Sequence, residues 1–455
     1  MSLRQRIGAG HAGRLSDPRD SFVIGALAAA SCTPGAELTG RTVLIRTRRQ
    51  MSAALALIEL DGVAQRLVLC PPDLDPAHLP AVCAEAGVDA LLHDGEVPDA
   101  LPASVTRYAI DRPQAVSGQS VSIRDSQRRT EWLMFTSGTT GRPKMVAHSL
   151  DALTGAITST AKPDETLVWS SFYDIRRYGG LQMLLRALTG SAGMVLSDAE
   201  EPLAEFLTRA GRAGVTHISG TPSHWRRALM SPAIGRLAPR YVRLSGEIAD
   251  QAVLDSLRAA FPGVPVGHAY ASTEAGVGFE VTDGLAGFPA AFLERDGEVR
   301  MKVEDGSLRI RSPRAASGYV GAAPKALAEL DGFVDTQDMV EQRGDRFYFV
   351  GRREGIINVG GLKVHPEEVE AVINRQPGVR MSRVFARRSP IAGALVAAEV
   401  APSAPLAGPE AEAELRAAIL DACRAVLPAV KTPASLRFVD GLALTAGGKL
   451  ERRNG

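Results

Sequence analysis

The segment richest in groups that could do chemistry is residues 136–144, TSGTTGRPK, directly after the apolar run at 132–135. Its hydroxyls and backbone N–H groups are hydrogen-bond donors, its glycines let the backbone approach an anion, and its lysine adds a positive charge. The pattern therefore predicts a phosphate-binding loop. It does not match G-x-x-x-x-G-K-[ST], because its two glycines are three residues apart and a proline precedes the lysine. Taken alone, the same composition also suits a surface turn.

Four further segments could take part in the same chemistry. They are residues 270–274 (YASTE), 335–338 (DTQD), 351–370 and 444–449 (LTAGGK). On its own, a Thr-Glu pair is typical of a helix start, and a lysine near the C-terminus is typical of a solvated tail. Lysine is rare in this chain, however, with seven among 52 basic residues. A lysine inside such a segment is therefore seldom incidental.

In this order, the five segments resemble the signature motifs of the adenylate-forming superfamily, which contains acyl-CoA synthetases, adenylation domains of peptide synthetases and luciferases. The resemblance extends by motif over about residues 130–453, whereas the first 130 residues are similar only in pattern. It implies a ligase that uses ATP and Mg²⁺ to join a carboxylic acid to AMP and then passes the acyl group to a thiol. The chain is shorter than typical members, which predicts trimmed loops in its large domain.

The resemblance also implies roles for individual residues. ATP or AMP would be bound by Thr136, Ser137, Gly138, Thr139, Thr140, Gly141, Tyr270, Asp338 and Arg352. Catalysis would involve Lys144, Thr273, Glu274 and Lys449, with Mg²⁺ on Glu274. Glu354 would be the hinge of a mobile domain, and Gly360 and Gly361 would flank a thiol tunnel. The chain departs from the family at Gln337, where the motif has glycine.

The implied reaction brings several negative groups together, because a carboxylate attacks the α-phosphate of ATP. Catalysis must therefore come mainly from neutralising charge and positioning the reactants. Lys144 and the hydroxyl loop would hold the β- and γ-phosphates, and Mg²⁺ on Glu274 would offset their charge. Lys449 would bridge the incoming carboxylate and the α-phosphate. No Ser/His/Asp or Cys/His nucleophile is required.

The acyl pocket is predicted around residues 172–180, FYDIRRYGG, where the family usually has an aromatic residue followed by histidine and glycine. Asp174 could hold an amino group, as in amino-acid-activating domains. Arg176 and Arg177 could instead hold a second acid group, or these charges could pair with one another at the surface. We expect the charges to pair, which favours a neutral aryl or alkyl acid. The candidate pocket residues are Tyr173, Asp174, Arg176 and Tyr178.

The elements that must position these segments follow from the hydrophobic pattern. Apolar runs alternate with helical stretches over residues 43–92 and again over 160–270, which predicts parallel sheets covered by helices. After about residue 286, short strands punctuated by glycine predict a small antiparallel, barrel-like part. The fold class is therefore α/β. We expect a large N-terminal domain over residues 1–350, a hinge at 351–354 and a small mobile α+β C-terminal domain over 355–455.

The last hundred residues are expected to contain two amphipathic helices. The first begins at Pro366, with two glutamates in its first turn. The second runs over residues 410–427 and is predicted to place Leu415, Ile419, Ala422 and Val426 on one apolar stripe.

Composition narrows the classes of partner. The 52 basic and 51 acidic residues give a net charge of +1, which provides no overall field for nucleic acid or an anionic membrane. The four cysteines have no metal-ligand spacing and are too few for a disulfide framework, so we interpret them as reduced residues of a cytoplasmic protein. The apolar run at residues 22–32 is too short to cross a membrane.

The sequence therefore predicts an AMP-forming acid:thiol ligase with a small-molecule carboxylic acid, ATP, Mg²⁺ and CoA as its partners. Two alternatives stay open. One is an adenylation enzyme that loads the phosphopantetheine arm of an acyl carrier protein. The other, from a different functional class, is a nucleotide-binding regulator without turnover.

Overall fold

Two mainly parallel sheets form the large N-terminal domain. The computed structural model describes residues 1–115, 128–136, 143–157, 166–321, 326–359, 362–389, 393–445 and 447–452. In spatial order, the eight-stranded sheet consists of Gly276–Val281, Val266–Ser272, Tyr241–Ser245, His217–Gly220, Val168–Ser171, Gly193–Val195, Arg14–Ser16 and Ser21–Val23. The seven-stranded sheet consists of Gly318–Val320, Lys144–His148, Glu131–Thr136, Arg66–Leu69, Thr42–Ile45, Ala90–His93 and Thr106–Ala109.

One core joins the two sheets through the helices Gln50–Leu60 and Tyr178–Thr189. Every residue of Gln50–Leu60 is buried. This helix is apolar nearly all round, with alanine and leucine on every side, so it suits a position between two sheets better than the surface. A second core lies on the other side of the eight-stranded sheet, under the helices Leu203–Arg212, Pro222–Leu229 and Gln251–Ala260.

The antiparallel part predicted after residue 286 is a five-stranded sheet. Its strands are Phe288–Pro289, Arg346–Arg352, Val334–Arg343, Ser307–Arg311 and Arg300–Glu304. Phenylalanine rings dominate its core, where Phe279, Phe288, Phe292 and Phe347 lie together. This sheet ends at Arg352 and leads directly into the C-terminal domain.

The small C-terminal domain is α+β. It has the strand pair Ile357–Val359 and Leu362–Val364, a sheet of Val379–Ser389, Gly393–Pro402 and Ser435–Phe438, and the helices Pro366–Ile373 and Pro409–Val426. The predicted stripe on the last helix is wrong at its end, because Val426 is 66% exposed. Cys423 is buried instead, four residues after the buried Ile419, because Val426 is the last residue of the helix and the extended Leu427 that follows it fills this core.

The remaining elements are short. The helices are Leu3–Ile7, Ile24–Leu27, Leu79–Ala86 and Leu150–Thr154, and Ala30–Ser31 pairs with Gln114–Ala115. Single 3₁₀ turns lie at Pro76–His78, Pro232–Arg236, Ala290–Glu294, Arg353–Gly355 and Ala429–Lys431. Among the described residues, no helix is both long and apolar enough to cross a membrane.

Candidate active site

Tyr270, Asp338 and Arg352 converge where the eight-stranded sheet meets the antiparallel sheet. The Tyr270 ring stacks on Phe349, with the ring centroids 5.2 Å apart, and its hydroxyl donates to Asp338 Oδ2 at 2.6 Å. Arg352 lies opposite Asp338 in the strand ladder, and its Nε is 3.2 Å from Asp338 Oδ1. Burial opposes the charge of Arg352, but the carboxylates of Asp338 and Glu274 raise the pKa of its guanidinium.

Gln337, where the family motif has glycine, adopts a left-handed backbone with φ of 60°. A residue with a Cβ costs about 1–2 kcal/mol in this region, which is the physical reason for glycine at such a turn. Asp335 Oδ1 accepts a hydrogen bond from the Gln337 N–H at 2.9 Å and supports the turn. The substitution therefore leaves Asp338 facing Tyr270 and Arg352.

The segment that contains Thr273 and Glu274 is held on both sides by the seven-stranded sheet and the loop beside it. His148 Nε2 lies 2.8 Å from the carbonyl oxygen of Thr273, and the N–H of Ala316 donates to the carbonyl oxygen of Glu274 at 2.9 Å. Burial lowers the pKa of His148 to about 4, so its imidazole is neutral and Nε2–H donates this bond. The position of the Glu274 backbone is thus tied to the strand that begins at Lys144.

Lys144 and Thr136 are paired residues at one end of a β-hairpin. Ser137, Gly138, Thr139, Thr140 and Gly141, which follow Thr136 in the sequence, lie outside the described residues. Lys144 is exposed. Its own strand pairs Val146 with Tyr319, whose pKa is raised by burial and by the charge of Glu274. Glu274 and Arg352 are therefore close enough to Tyr319, on the strand that pairs with the Lys144 strand, to interact with it electrostatically.

Lys449 enters the site from the C-terminal domain. Its Cε lies 3.5 Å from the position of a Cβ on Gly246, at the carboxyl end of a central parallel strand. Lys449 is exposed. Burial lowers the pKa of the Lys449 ammonium, whereas the carboxylates of Glu247 and Asp338 raise it. The structure thus brings Lys449 close to the cluster of Tyr270, Asp338 and Arg352.

The loop that carries Lys449 contacts the large domain through its backbone. Thr221 Oγ1 donates to the carbonyl oxygen of Gly448 at 2.6 Å, and the N–H of Leu450 donates to Glu247 Oε1 at 2.7 Å. Gly448 lies against the ring of His224 with a φ of 69°. Thr221, Gly246 and Glu247 were not among the residues predicted for the site. One feature of the sequence could have identified Gly246 and Glu247: they directly follow the strand-like residues 241–245. Ligand sites of parallel sheets lie at the carboxyl ends of their strands.

The four candidate pocket residues separate into two groups. The Tyr173 hydroxyl donates to the carbonyl oxygen of Ser245 at 2.6 Å and lies 3.9 Å from the Cβ position of Gly246, so this ring is next to Lys449. Tyr178 is buried, with its ring centroid 5.7 Å from that of His148. Asp174 and Arg176 instead form an ion pair of 2.6 Å with each other.

The Asp174–Arg176 pair is buried rather than at the surface. The side chain of Arg176 is 1% exposed and also donates to the carbonyl oxygen of Thr47. Arg177 forms a separate ion pair with Asp73. In this arrangement neither Asp174 nor Arg176 offers an unpaired charge to a ligand.

The predicted hinge residue Glu354 is exposed in the 3₁₀ turn Arg353–Gly355, between the last strand of the antiparallel sheet and the C-terminal domain. Arg353 anchors the turn through an ion pair of 2.9 Å with Asp335. The predicted tunnel residues Gly360 and Gly361 lie outside the described residues. His, Cys, Asp and Glu form no cluster of metal-binding size within the described part of the chain.

The sequence matches the AMP-binding enzyme family over residues 42–320, which is more than half of the chain, and the AMP-binding enzyme C-terminal domain over residues 368–449. The chain belongs to the AMP-binding enzyme family. This confirms the resemblance to adenylate-forming enzymes, the α/β fold class and the division into a large and a small domain.

Curated relatives and solved structures agree with this assignment. Feruloyl-CoA synthase of an Amycolatopsis species is 28% identical over 421 residues, which span 83% of this chain and 80% of the relative. The 2-succinylbenzoate–CoA ligase of Geobacillus kaustophilus is 28% identical over 393 residues, spanning 81% and 78%. The crystal structure of the anthranilate CoA ligase AuaEII in complex with anthranoyl-AMP superposes with a TM-score of 0.80 at 18% identity, covering 99% of this chain and 95% of that one. These likenesses support the predicted activity of this AMP-binding enzyme, an AMP-forming acid:thiol ligase.

Proposed function

We propose that this AMP-binding enzyme activates an aromatic carboxylic acid as its acyl-adenylate and transfers the acyl group to CoA. The observation that carries the proposal is the position of Lys449, between the Gly246 turn, Tyr173 and the group of Tyr270, Asp338 and Arg352. A flexible cation at that point can meet a carboxylate and a phosphate together. The named relatives act on ferulate and 2-succinylbenzoate, both of which contain an aromatic ring, and this supports an aromatic acid here.

In this proposal, Asp338 accepts hydrogen bonds from the ribose hydroxyls of ATP, and Tyr270 packs against the adenine. Thr136, Lys144 and the loop between them hold the β- and γ-phosphates. Thr273 donates to the α-phosphate. Because Asp338 orients the Arg352 guanidinium and the large domain holds the backbone on both sides of Lys449 before the substrates bind, both cations stabilise the charge that develops at the α-phosphate with little reorganisation.

Mg²⁺ is expected with ATP. It is commonly bound by one or two carboxylates together with substrate phosphates, and the single carboxylate of Glu274 beside the predicted phosphate loop fits that kind of site. When bound, the ion would neutralise phosphate charge. Glu274 would hold it, while Lys144 and Lys449 would supply the remaining positive charge from the protein.

The acid would enter next to Tyr173, with its carboxylate toward Lys449. Because Asp174 and Arg176 neutralise each other, we expect no requirement for an amino group or a second acid group on the substrate. Tyr173 places an aromatic ring next to Lys449, which suits a planar substrate ring.

The thiol step requires Lys449 to leave the site. We propose that the C-terminal domain, residues 355–455, rotates about residues 351–354, withdraws Lys449 and admits the thiol past Gly360 and Gly361. CoA is the proposed acceptor because the relatives named above are CoA ligases. A cytoplasmic location stays a prediction from the four free cysteines.

The test of the proposal is Lys449→Ala, assayed by carboxylate-dependent exchange of pyrophosphate into ATP. Loss of one preorganised charge from a transition state lowers the rate by about 10²–10³. Lys302→Ala is the matched control, because Lys302 is a partly exposed lysine of the antiparallel sheet that pairs with Asp331. If exchange by Lys449→Ala stays within a few-fold of wild type, the assigned role is wrong.

A panel of substrates would test the proposed class of acid and the proposed acceptor. It contains ferulate, anthranilate, 4-hydroxybenzoate, medium-chain fatty acids, amino acids and dicarboxylates, with CoA or holo carrier protein as acceptor. We expect aromatic acids and CoA to give the highest kcat/KM. A preference for amino acids that Asp174→Asn abolishes would contradict the proposed acid class, transfer only to carrier protein would favour the alternative acceptor, and no pyrophosphate release with any acid would favour a regulator.

A further inference from the structure

Glu247 stands at the contact between the large domain and the loop that carries Lys449. Its Oε2 accepts a hydrogen bond from the Ser223 N–H at 2.9 Å, and its Oε1 accepts one from Ser223 Oγ at 3.0 Å. The third donor is the N–H of Leu450, 2.7 Å from Oε1. Two of the three donors therefore belong to the large domain, and the third belongs to the small domain.

Two hydrogen bonds to the large domain flank Lys449 in the sequence. One joins Thr221 Oγ1 to the carbonyl oxygen of Gly448, and the other joins the N–H of Leu450 to Glu247. Together they fix the backbone immediately before and after the lysine. The bond to Glu247 is the stronger type, because its acceptor is a carboxylate.

The other side of the loop is held by the small domain itself. Arg452 forms two hydrogen bonds with the carboxylate of Glu370, at 2.5 and 2.8 Å, and Arg383 donates to the carbonyl oxygen of Glu451 at 3.2 Å. All of these residues move together when the small domain moves. The bonds to Glu247 and Thr221 must instead break whenever Lys449 leaves the site.

Capping of the helix Pro222–Leu229 does not require Glu247. Thr221 already caps this helix, since its Oγ1 accepts from the His224 N–H at 3.0 Å and the His224 ring closes the reciprocal bond to the Thr221 N–H at 3.2 Å. Glu247 adds a bond to the Ser223 N–H in the same first turn, but the capping box of Thr221 and His224 is complete without it. Unlike its bonds with Ser223, the bond that Glu247 accepts from Leu450 joins the two domains.

We propose that Glu247 is a positioning residue that latches the Lys449 loop onto the large domain for adenylate formation and releases it for thioester formation. The proposal rests on the proposed function, in which Lys449 acts at the α-phosphate. Glu247 does not touch the reacting atoms. It acts by keeping Lys449 in the site, and its negative charge also favours the ammonium there.

The experiment measures the two half-reactions separately, with the panel acid that the wild type activates fastest and with its preformed acyl-adenylate plus CoA. For Glu247→Ala we expect kcat of adenylate formation to fall about tenfold to a hundredfold, the range for a lost hydrogen bond to a charged group. The KM for ATP and the rate of thioester formation from the supplied adenylate should stay within about threefold of wild type. Glu247→Gln, which keeps an acceptor oxygen for Leu450, should recover part of the loss.

Ser223→Ala is the matched control. It removes a hydroxyl that bonds to Glu247 from the helix side and leaves the contact with Leu450 in place, so both half-reactions should stay near wild type. Adenylate formation by Glu247→Ala within threefold of wild type would overturn the proposal. Equal loss in both half-reactions, or a raised KM for ATP at unchanged kcat, would also overturn it. Lys449→Ala distinguishes failure of the proposed function from failure of the role proposed for Glu247. If Lys449→Ala retains adenylate formation, the proposed function is wrong. If Lys449→Ala loses adenylate formation and Glu247→Ala retains it, only the role of Glu247 is wrong.

Discussion

Gly448 immediately precedes the proposed catalytic lysine and leaves no room for a side chain. A Cβ there would overlap the imidazole of His224, and even the Nδ1 atom of that ring would lie only 2.6 Å from it. The His224 ring cannot easily move away, because three groups contact it. It receives the N–H of Thr221 on Nδ1, stacks on Phe172 with centroids 5.5 Å apart and meets the edge of Tyr173 at 5.7 Å.

The change Gly448→Ala should therefore displace the loop. Carbon atoms in contact lie about 3.5 Å apart, so the loop or the ring must shift by about 1 Å or more. The φ of 69° at Gly448 adds about 1–2 kcal/mol of backbone strain for alanine. Since a displacement of about 1 Å from a reacting position costs about 10²-fold in rate, we expect adenylate formation to fall at least a hundredfold.

Pyrophosphate exchange measures this loss, and thioester formation from preformed acyl-adenylate should be spared, because Lys449 is not needed for that step. Gly447→Ala is the matched control, since its nearest neighbours are side-chain atoms of Arg177 at 3.5 Å, an ordinary contact distance. Adding His224→Ala to Gly448→Ala should restore part of the exchange by making room. Exchange by Gly448→Ala within tenfold of wild type would show that the loop does not act from the position seen here.

Three other perturbations test different parts of the molecule. Arg176→Met leaves the carboxylate of Asp174 buried without its partner, so urea denaturation should show a loss of about 3–5 kcal/mol in the free energy of unfolding, and an unchanged midpoint would contradict the buried pair. Glu354→Pro restricts the hinge, so adenylate formation should survive while thioester formation falls sharply, whereas equal loss would indicate misfolding. Burial raises the pKa of Glu367 from 4.5 to about 7, against the opposing charge of Arg452. The folded state therefore favours the protonated form of Glu367. The stability that this proton contributes is complete below about pH 4.5 and is lost as the pH rises through 7. Glu367→Gln should flatten that part of the plot of melting temperature against pH.

Local pattern was enough to predict the alternating strands and helices of the parallel sheets and the two helices of the C-terminal domain. The helix Pro366–Ile373 begins at the proline that the sequence indicates, and the helix Pro409–Val426 begins and ends one residue before the expected 410–427. Alternating apolar runs predicted the parallel sheets, and the ordered motifs predicted the family. These features depend on residues that are close in sequence, which is why a single sequence contains them.

The surroundings of individual side chains were decided by tertiary structure. The stripe predicted on the helix Pro409–Val426 includes Val426, yet packing against the three-stranded sheet buries Cys423 instead. The sequence left open whether Asp174 and Arg176 pair at the surface or bind a ligand, and only the strand that ends near Thr47 determines that they pair in the interior.

The sequence by itself determined the family and the order of the elements and predicted which residues would approach ATP, because each motif is a short continuous segment. It did not determine that Glu247, more than two hundred residues from Lys449, would bind the backbone beside that lysine. A contact of this kind depends on how two separately folded domains meet. The atoms that form this hydrogen bond are distant in sequence. No periodic pattern of residues therefore predicts the bond, and only the tertiary structure shows it.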